Sequence, residues 1–516
     1  MGEQMTVDEY RQYDGTGLAG LVARGEVSSA DLLECAIERA EAVNPVLNGI
    51  VIPLYEQARD EAKHMLAGDP GSGASSTGDR TKAPFAGVPM LVKDLFQEIG
   101  GAPHYMGNAS LKAADHRADS DSELVRRFRG AGALIFGRTN TPEFGLKGVT
   151  EPASFGPTKN PWKFQRSPGG SSGGSAAMVA AGVVPFAGAN DGGGSIRIPA
   201  SNCGLFGFKP GRGRTPWGPR ITESTHGMSM NHVITRSVRD SAAMLDCIAG
   251  NEPGSPVPIA PPPRPYLEEV GRDPGRLRIA YSTRSPIHTP VHHKAVNAVA
   301  STVKELRSLG HDVEEAEPQI DGEALARDWL LLWFVTAAAT VDQVRRITGC
   351  SGRRFEPDTR VMASLGRSLN AVDYFAAYER KLAYNRAFDT FLASGNYDFW
   401  LTPTTAEPPP LIGETVTPKL QAIAGQLLSH ARAGSLMLKG DTLSSIARSN
   451  MKLTPFTQMA NMTGAPSMSV PTYFSRRGYP MGVQFTGRHG GESLMFRLAS
   501  QLEQSRPWFH RVPVRI

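Results

Sequence analysis

Ser167 to Ala177 reads SPGGSSGGSAA, and Gly188 to Ala200 reads GANDGGGSIRIPA. Each stretch is a glycine-rich loop that carries serine and runs into a candidate helix; the second follows a short apolar run, Val183 to Gly188. Outward in both directions, short apolar runs keep alternating with helical periods, which is the pattern of an α/β protein. Upstream lie Val88 to Val92, a helix near Asp121 to Gly130, and Ala133 to Phe136. Downstream, Leu277 to Tyr281 reads as a strand and His293 to Leu309 as a helix. After two mostly helical stretches, Gly322 to Ser394 and Pro418 to Asn450, the sheet resumes with Phe399 to Thr402, Ser467 to Val470 and Met481 to Thr486. A helix from Glu492 closes the chain.

The organisation follows. Ser28 and Asp31 form a capping box opening a helix whose stripe Leu32, Leu33, Ala36, Ile37 and Ala40 is expected to end near Pro45, and Tyr55 to Leu66 is a second helix. Gly68 to Asp79, GDPGSGASSTGD, is turn chemistry with nothing to bury and reads as a surface loop. Pro253 to Pro265 reads as a linker. The expected division is a helical segment over 1–66, a core over 67–252, a linker over 253–275, and a second lobe over 276–516 whose helical part, about 322–450, forms a pocket.

Bulk properties exclude several classes. The 516 residues carry 55 Lys and Arg against 50 Asp and Glu, and a net charge of +5 gives no field suited to nucleic acid. Cys35, Cys203, Cys247 and Cys350 have neither zinc-knuckle nor disulfide spacing, and no His, Cys, Asp or Glu cluster has ligand spacing, so neither metal nor cofactor is expected. The first residues contain no apolar leader, and the longest apolar run, Leu330 to Ala339, is too short for a membrane span. A soluble cytoplasmic protein without a membrane or nucleic-acid partner is expected, and a homodimer is compatible with it.

The two loops carry the chemistry. Glycine lets a backbone approach a bound molecule closely and turn successive N–H groups towards one point, and a helix start adds positive potential. Gly192, Gly193, Gly194 and Ser195 offer such a nest of amides, as an oxyanion requires. Alone, either loop reads equally well as a tight turn or a phosphate cradle. A lysine shifts that balance. Phe85 to Phe96 reads FAGVPMLVKDLF, with Lys93 and Asp94 at the end of an apolar strand. An ammonium buried there has its pKa pushed down towards that of a base, whereas an isolated lysine at a strand end ordinarily sits on the surface.

Over nearly its whole length the chain resembles the amidase signature hydrolases. The matching stretches are GVPMLVKD (87–94), GRTNTPEFG (137–145), GGSSGGSAA (169–177), GSIRIPA (194–200), CGLFGFKPGRGR (203–214) and TGAPSMSVP (463–471). The resemblance implies an α/β fold, a large mixed central sheet with helices on both faces. It implies a cofactor-free amidohydrolase that cleaves the C–N acyl bond of a small-molecule amide or carbamate. It further implies a Ser–cis-Ser–Lys triad. Lys93 is then the base; Ser171, after a cis Gly170–Ser171 bond, shuttles the proton; and Ser195 is the nucleophile that becomes acylated. Gly192, Gly193, Gly194 and Ser195 would line the oxyanion hole, with Ser172, Asp191 and Arg197 in support. One departure stands out: Gly192 occupies a position where many relatives have Thr, which predicts a looser loop.

Rival readings are weaker. GGSSG also satisfies the nucleophile elbow of α/β-hydrolase esterases, with Ser171 attacking, but His226, His232 and His510 lie in no fitting context and the second loop is left idle. Ser301 to Lys304 matches S-x-x-K, yet falls inside an amphipathic helix. The tRNA-serving amidotransferases belong to the same family, but such relatives usually carry Gln where this chain has Ile198. A pseudoenzyme is disfavoured because all three triad positions are intact. Residues 44–53, 158–162 and 189–201 are similar to the branch acting on cyclic amide oligomers, aryl acylamides and urethanes. In the family the pocket comes from the variable helices, here about 329–382 and 427–450, whose Leu, Phe, Tyr and Met favour apolar or aromatic groups.

Overall fold

The computed structural model describes residues 5–66, 83–350, 354–415, 440–475 and 478–513. Its strands are β1 Ile50–Pro53, β2 Pro89–Lys93, β3 Leu134–Thr139, β4 Phe186–Asp191, β5 Phe206–Lys209, β6 Met230–Thr235, β7 Arg278–Tyr281, β8 Asp312–Glu315, β9 Phe399–Pro403, β10 Ser467–Phe474 and β11 Pro480–Gly487. They form one 11-stranded sheet in the order β1-β3-β2-β4-β6-β5-β10-β11-β9-β7-β8. The sheet is mixed: β2 pairs parallel with β3 and β4, β7 pairs parallel with β8 and β9, and the central neighbours are antiparallel. Every residue of β2, β3, β4, β5, β6, β9 and β11 is buried, so both faces of the sheet are covered.

The helices used below are α1 Ser29–Leu47, α2 Tyr55–Leu66, α3 Glu123–Gly130, α4 Gly173–Ala180, α5 Arg197–Cys203, α6 Val238–Ile248, α7 His293–Ser308, α8 Gly322–Thr348, α9 Pro357–Ser368, α10 Ala371–Ser394, α11 Gly440–Met451, α12 Gln458–Thr463 and α13 Glu492–Ser505. The Ser28/Asp31 capping box is present, but α1 runs through Pro45 to Leu47 and stops where Asn48 turns left-handed (φ 53). A first hydrophobic cluster lies against the sheet. A second is built on α8, α9, α10 and α12 around Trp329, Trp333, Phe334 and Met459. By length and composition α8 is apolar enough to cross a membrane, yet 67% of its most apolar window is buried in this second cluster.

Strands on both sides of residues 253–265 belong to the one sheet, joined where β5 pairs with β10. The expected core and the expected second lobe both contribute strands to it. The stretch Gly68 to Asp79, and residues 418–439 of the expected second helical stretch, lie outside the described residues. All four cysteines are free thiols.

Candidate active site

Strand β2 delivers Lys93 into the interior, where it is fully buried. Its Nζ lies 2.6 Å from Ser171 Oγ and 2.7 Å from Asn190 Oδ1. Neither neighbour is a carboxylate. Burial therefore drives the Lys93 pKa well below that of an ordinary lysine, and the Asp191 charge only partly restores it.

The Gly170–Ser171 peptide bond is cis. Gly170 has no room for a side chain, since a Cβ there would lie 2.8 Å from backbone atoms of Val149. Thr150 Oγ1 donates to Gly169 O at 2.9 Å and accepts from Gly173 N at 3.2 Å, closing the loop around Ser171 at the start of α4. Ser172 Oγ donates to Asn190 O at 3.3 Å, while Asn190 Nδ2 donates to Leu95 O at 2.9 Å. Asn190 thus joins Lys93 to the serine loop, a role not read from the sequence. The available signal was a polar amide next to the end of β4, FAGAND, in a strand otherwise small and apolar up to that point.

The second loop is fixed one peptide plane at a time. In a trans peptide C=O and N–H point in opposite directions, so holding a carbonyl aims the amide that follows it. Asp191 O accepts from Asn461 Nδ2 at 3.0 Å, Gly192 O from Trp329 Nε1 at 3.1 Å, Gly193 O from Thr457 Oγ1 at 2.6 Å and Gly194 O from Ile198 N at 2.7 Å. The Asp191 carboxylate takes Gly194 N at 2.7 Å, Ile196 N at 3.1 Å and two 2.9 Å bonds from Arg197. Arg197, wholly buried, also donates to Gln484 Oε1 at 3.0 Å and Asn461 Oδ1 at 2.6 Å. Burial opposes ionisation of Asp191, but the guanidinium of Arg197 outweighs it and holds the carboxyl below the usual range.

Two expectations are corrected here. The Gly194 amide is spent on Asp191, which leaves Gly192, Gly193 and Ser195 as the amides without a protein partner among the described residues. Nor is the loop loose at Gly192: a Cβ there would lie 2.4 Å from Ser229 Oγ and 3.1 Å from Trp333 Cζ3, and one at Gly193 would lie 2.5 Å from Trp329 Cζ2. Side chains fill the space that Thr would need.

Ser195 is 8% exposed. Its Oγ makes no hydrogen bond among the described residues, and no bond joins it to Ser171. It opens on a cavity of about 340 Å³ walled by Trp329, Trp333, Phe334, Val361, Met362 and Ile446. Gly145 lines the same cavity, and its Cβ would stand 3.2 Å from Ser171 Oγ, so the floor beside Ser195 reaches Ser171. The charged lining residues are Lys147, Asp358 and Glu407, and Lys147 is held by Asp358 at 2.5 Å and Glu356 at 3.7 Å.

His226, His232 and His510 are held elsewhere among the described residues. His232 Nε2 bonds Ser241 Oγ at 2.9 Å and burial pushes its pKa down to about 3; His226 lies 3.0 Å from Tyr374 OH; His510 packs on Phe509. None bonds Ser171, so the nucleophile-elbow arrangement is not formed. Ser301 Oγ accepts from Arg506, as helix surface.

Comparison with known proteins agrees with this geometry. The amidase family model matches residues 31–496. The chain belongs to the amidase signature family. This amidase is 34% identical to the 6-aminohexanoate-cyclic-dimer hydrolase of Pseudomonas sp. (strain NK87) over 97% of its own length and 96% of that protein. It is 36% identical to the putative amidase AmiB2 of Mycobacterium tuberculosis (strain ATCC 25618 / H37Rv), over 96% of each. The solved structure of 6-aminohexanoate cyclic dimer hydrolase superimposes with a TM-score of 0.86 at 33% identity, covering 98% of this chain and 99% of the other. The glutamyl-tRNA(Gln) amidotransferase chain of Thermotoga maritima gives a lower TM-score, 0.67, at 25% identity, covering 98% and 95%. The amidase is thus an amidohydrolase acting on C–N bonds.

Proposed function

We propose that this amidase hydrolyses neutral, largely apolar amides, cyclic or linear, and the related anilides and carbamates, through Ser195, Ser171 and Lys93. The observation that carries the mechanism is the buried Lys93 Nζ, 2.6 Å from Ser171 Oγ and without a carboxylate partner. The neutral amine takes the Ser171 proton as Ser171 takes that of Ser195, and Ser195 Oγ bonds to the carbonyl carbon. The amides of Gly192, Gly193 and Ser195 stabilise the oxyanion. As the tetrahedral centre collapses, the C–N bond breaks and Ser171 protonates the departing nitrogen, leaving an acyl-enzyme. Water, deprotonated through the same relay, releases the acid and restores the three groups.

The substrate reading rests on the cavity. The walls around Ser195 are largely aromatic and aliphatic, the one lining cation among the described residues, Lys147, is already paired, and Ile198 adds an apolar contact beside Ser195. The relative's name supports a polymethylene amide. Ile198 and the low charge also favour a free-standing hydrolase over a component of an amidotransferase complex.

Two measurements test this. Labelling with a fluorophosphonate followed by peptide mass spectrometry is expected to find Ser195 modified, and Ser195→Ala to lower kcat on the order of 10⁴-fold or more; modification at Ser171 instead would sink the mechanism. A panel of cyclic amide oligomers, short amides, anilides and carbamates should give the highest kcat/KM to uncharged apolar members. A preference for anionic acyl groups would overturn the substrate reading. Because the relay supplies its own base, EDTA should leave kcat/KM unchanged.

A further inference from the structure

Four carbonyls hold the peptide planes that lead to Ser195, and their partners are not equivalent. Asn461 and Thr457 lie outside the cavity wall, and the Ile198 partner is backbone. Gln458 lines the cavity and reaches Gly193 O, but at 3.4 Å and beside the 2.6 Å bond from Thr457, whereas Trp329 lines the cavity and is the side-chain donor to Gly192 O. Its Nε1–H fixes Gly192 O, and by the planarity of the 192–193 peptide this sets the direction of the Gly193 amide. Its ring lies so close to Gly193 that a Cβ there would be 2.5 Å from Cζ2.

Trp329 does not act alone. Trp333 follows one turn later on the same face of α8, and the two indoles stack with centroids 4.7 Å apart and planes at 19°. Trp333 Nε1 donates to Leu146 O at 3.4 Å, and Leu146 follows Gly145, the residue against Ser171. One stacked pair on one helix therefore touches the nucleophile loop at one end and, at the other, the Gly145–Leu146 segment that packs beside Ser171, while both rings form part of the wall that receives substrate.

We infer that Trp329 is a positioning residue for the oxyanion-binding amide of Gly193, and that the Trp329–Trp333 pair determines specificity by making loop alignment depend on what fills the cavity. The inference rests on the reading of Ser195 as nucleophile. It names the favoured substrate as one whose apolar group, a polymethylene chain or an aryl ring, seats against the two indoles. Such a group acts on the same rings that hold Gly192 O and Leu146 O, so its binding energy is expressed in kcat and not only in KM.

The test removes the indole N–H while keeping its shape. Trp329 is replaced by β-(3-benzothienyl)alanine, in which sulfur stands for the N–H, and separately by Phe; Trp333→Phe is the matched comparator. For each, kcat, KM, the rate of Ser195 labelling by a fluorophosphonate, and Tm are measured with a short aliphatic amide and a cavity-filling anilide. Both Trp329 variants are expected to lose on the order of 10–100-fold in kcat and in labelling rate with either substrate, with KM moving by less than about threefold. Trp333→Phe should lower kcat by a larger factor for the anilide than for the short amide. A benzothienyl variant with wild-type kcat and labelling rate overturns the proposal, as does a change confined to KM. Should Trp329→Phe fail to fold, the benzothienyl variant decides alone. Labelling of the wild-type enzyme at a serine other than 195 would instead reject the mechanism on which the inference rests.

Discussion

Lys93 is the residue whose physics is most exposed to experiment. Unfolded, it carries an ordinary lysine pKa of about 10.4, whereas burial lowers the folded value well below that. Between the two values the unfolded chain binds the extra proton, so burying Lys93 costs stability at neutral pH, and the cost falls as pH rises through that interval and is gone above the unfolded value. Lys93→Met is accordingly expected to abolish activity yet raise Tm at pH 7, with the gain shrinking as pH rises towards about 10 and gone above it. Calorimetry across pH checks this; a lower Tm for the variant at pH 7 would refute it. The same depression places the rising limb of kcat/KM below the ordinary lysine range, and substituting His226 or His232 should not move it. Asp191 behaves in the opposite way, because it is buried with Arg197 and removing it strands a charge. Asp191→Ala should cost about 3–5 kcal/mol in urea unfolding. A loss below about 1 kcal/mol would mean that the pair is not what holds the loop.

At the scale of elements, the nucleophile loop is shaped by what packs on it. Restoring Thr at position 192 would force its Cβ to 2.4 Å from Ser229 Oγ, so Gly192→Thr is expected to destabilise the protein by about 1–3 kcal/mol and to lower kcat. Equal stability and activity in that variant would show that Ser229 and Trp333 yield to the loop. This was not legible in the sequence. Lys93, Ser171, Ser195, Asp191 and Arg197 could be named because they fall in contiguous motifs at strand ends and helix starts. Trp329, Thr457 and Asn461 lie far along the chain in helices whose apolar residues resemble ordinary core, and only the fold brings them to the loop. The same limit applied to strands. β2, β4 and β11 stood out as apolar runs, but β8, DVEE, is mostly exposed, β6, MNHVIT, carries Asn231 and His232 in its first half, and β5, FGFK, is four residues long. Pairing with neighbours, which period and propensity do not encode, makes those segments strands.

The whole molecule is organised about the β5–β10 seam, where strands from before and after residues 253–265 meet. The catalytic loop is braced across it, since Arg197 reaches Gln484 and Asn461. Thermal unfolding is therefore expected to be one cooperative event, with loss of activity, near-ultraviolet dichroism and heat absorption coinciding. Two resolved transitions would show instead that the segments on either side of 253–265 melt as separate units. The seam has a further consequence for how such a chain can be divided. A gene interrupted within the codons for 253–265 would encode two polypeptides, one holding Lys93, Ser171 and Ser195, the other holding Trp329, Thr457 and Asn461. Neither fragment contains a complete site, so hydrolysis would report their complementation, and titrating one fragment against the other would measure the strength of the seam directly.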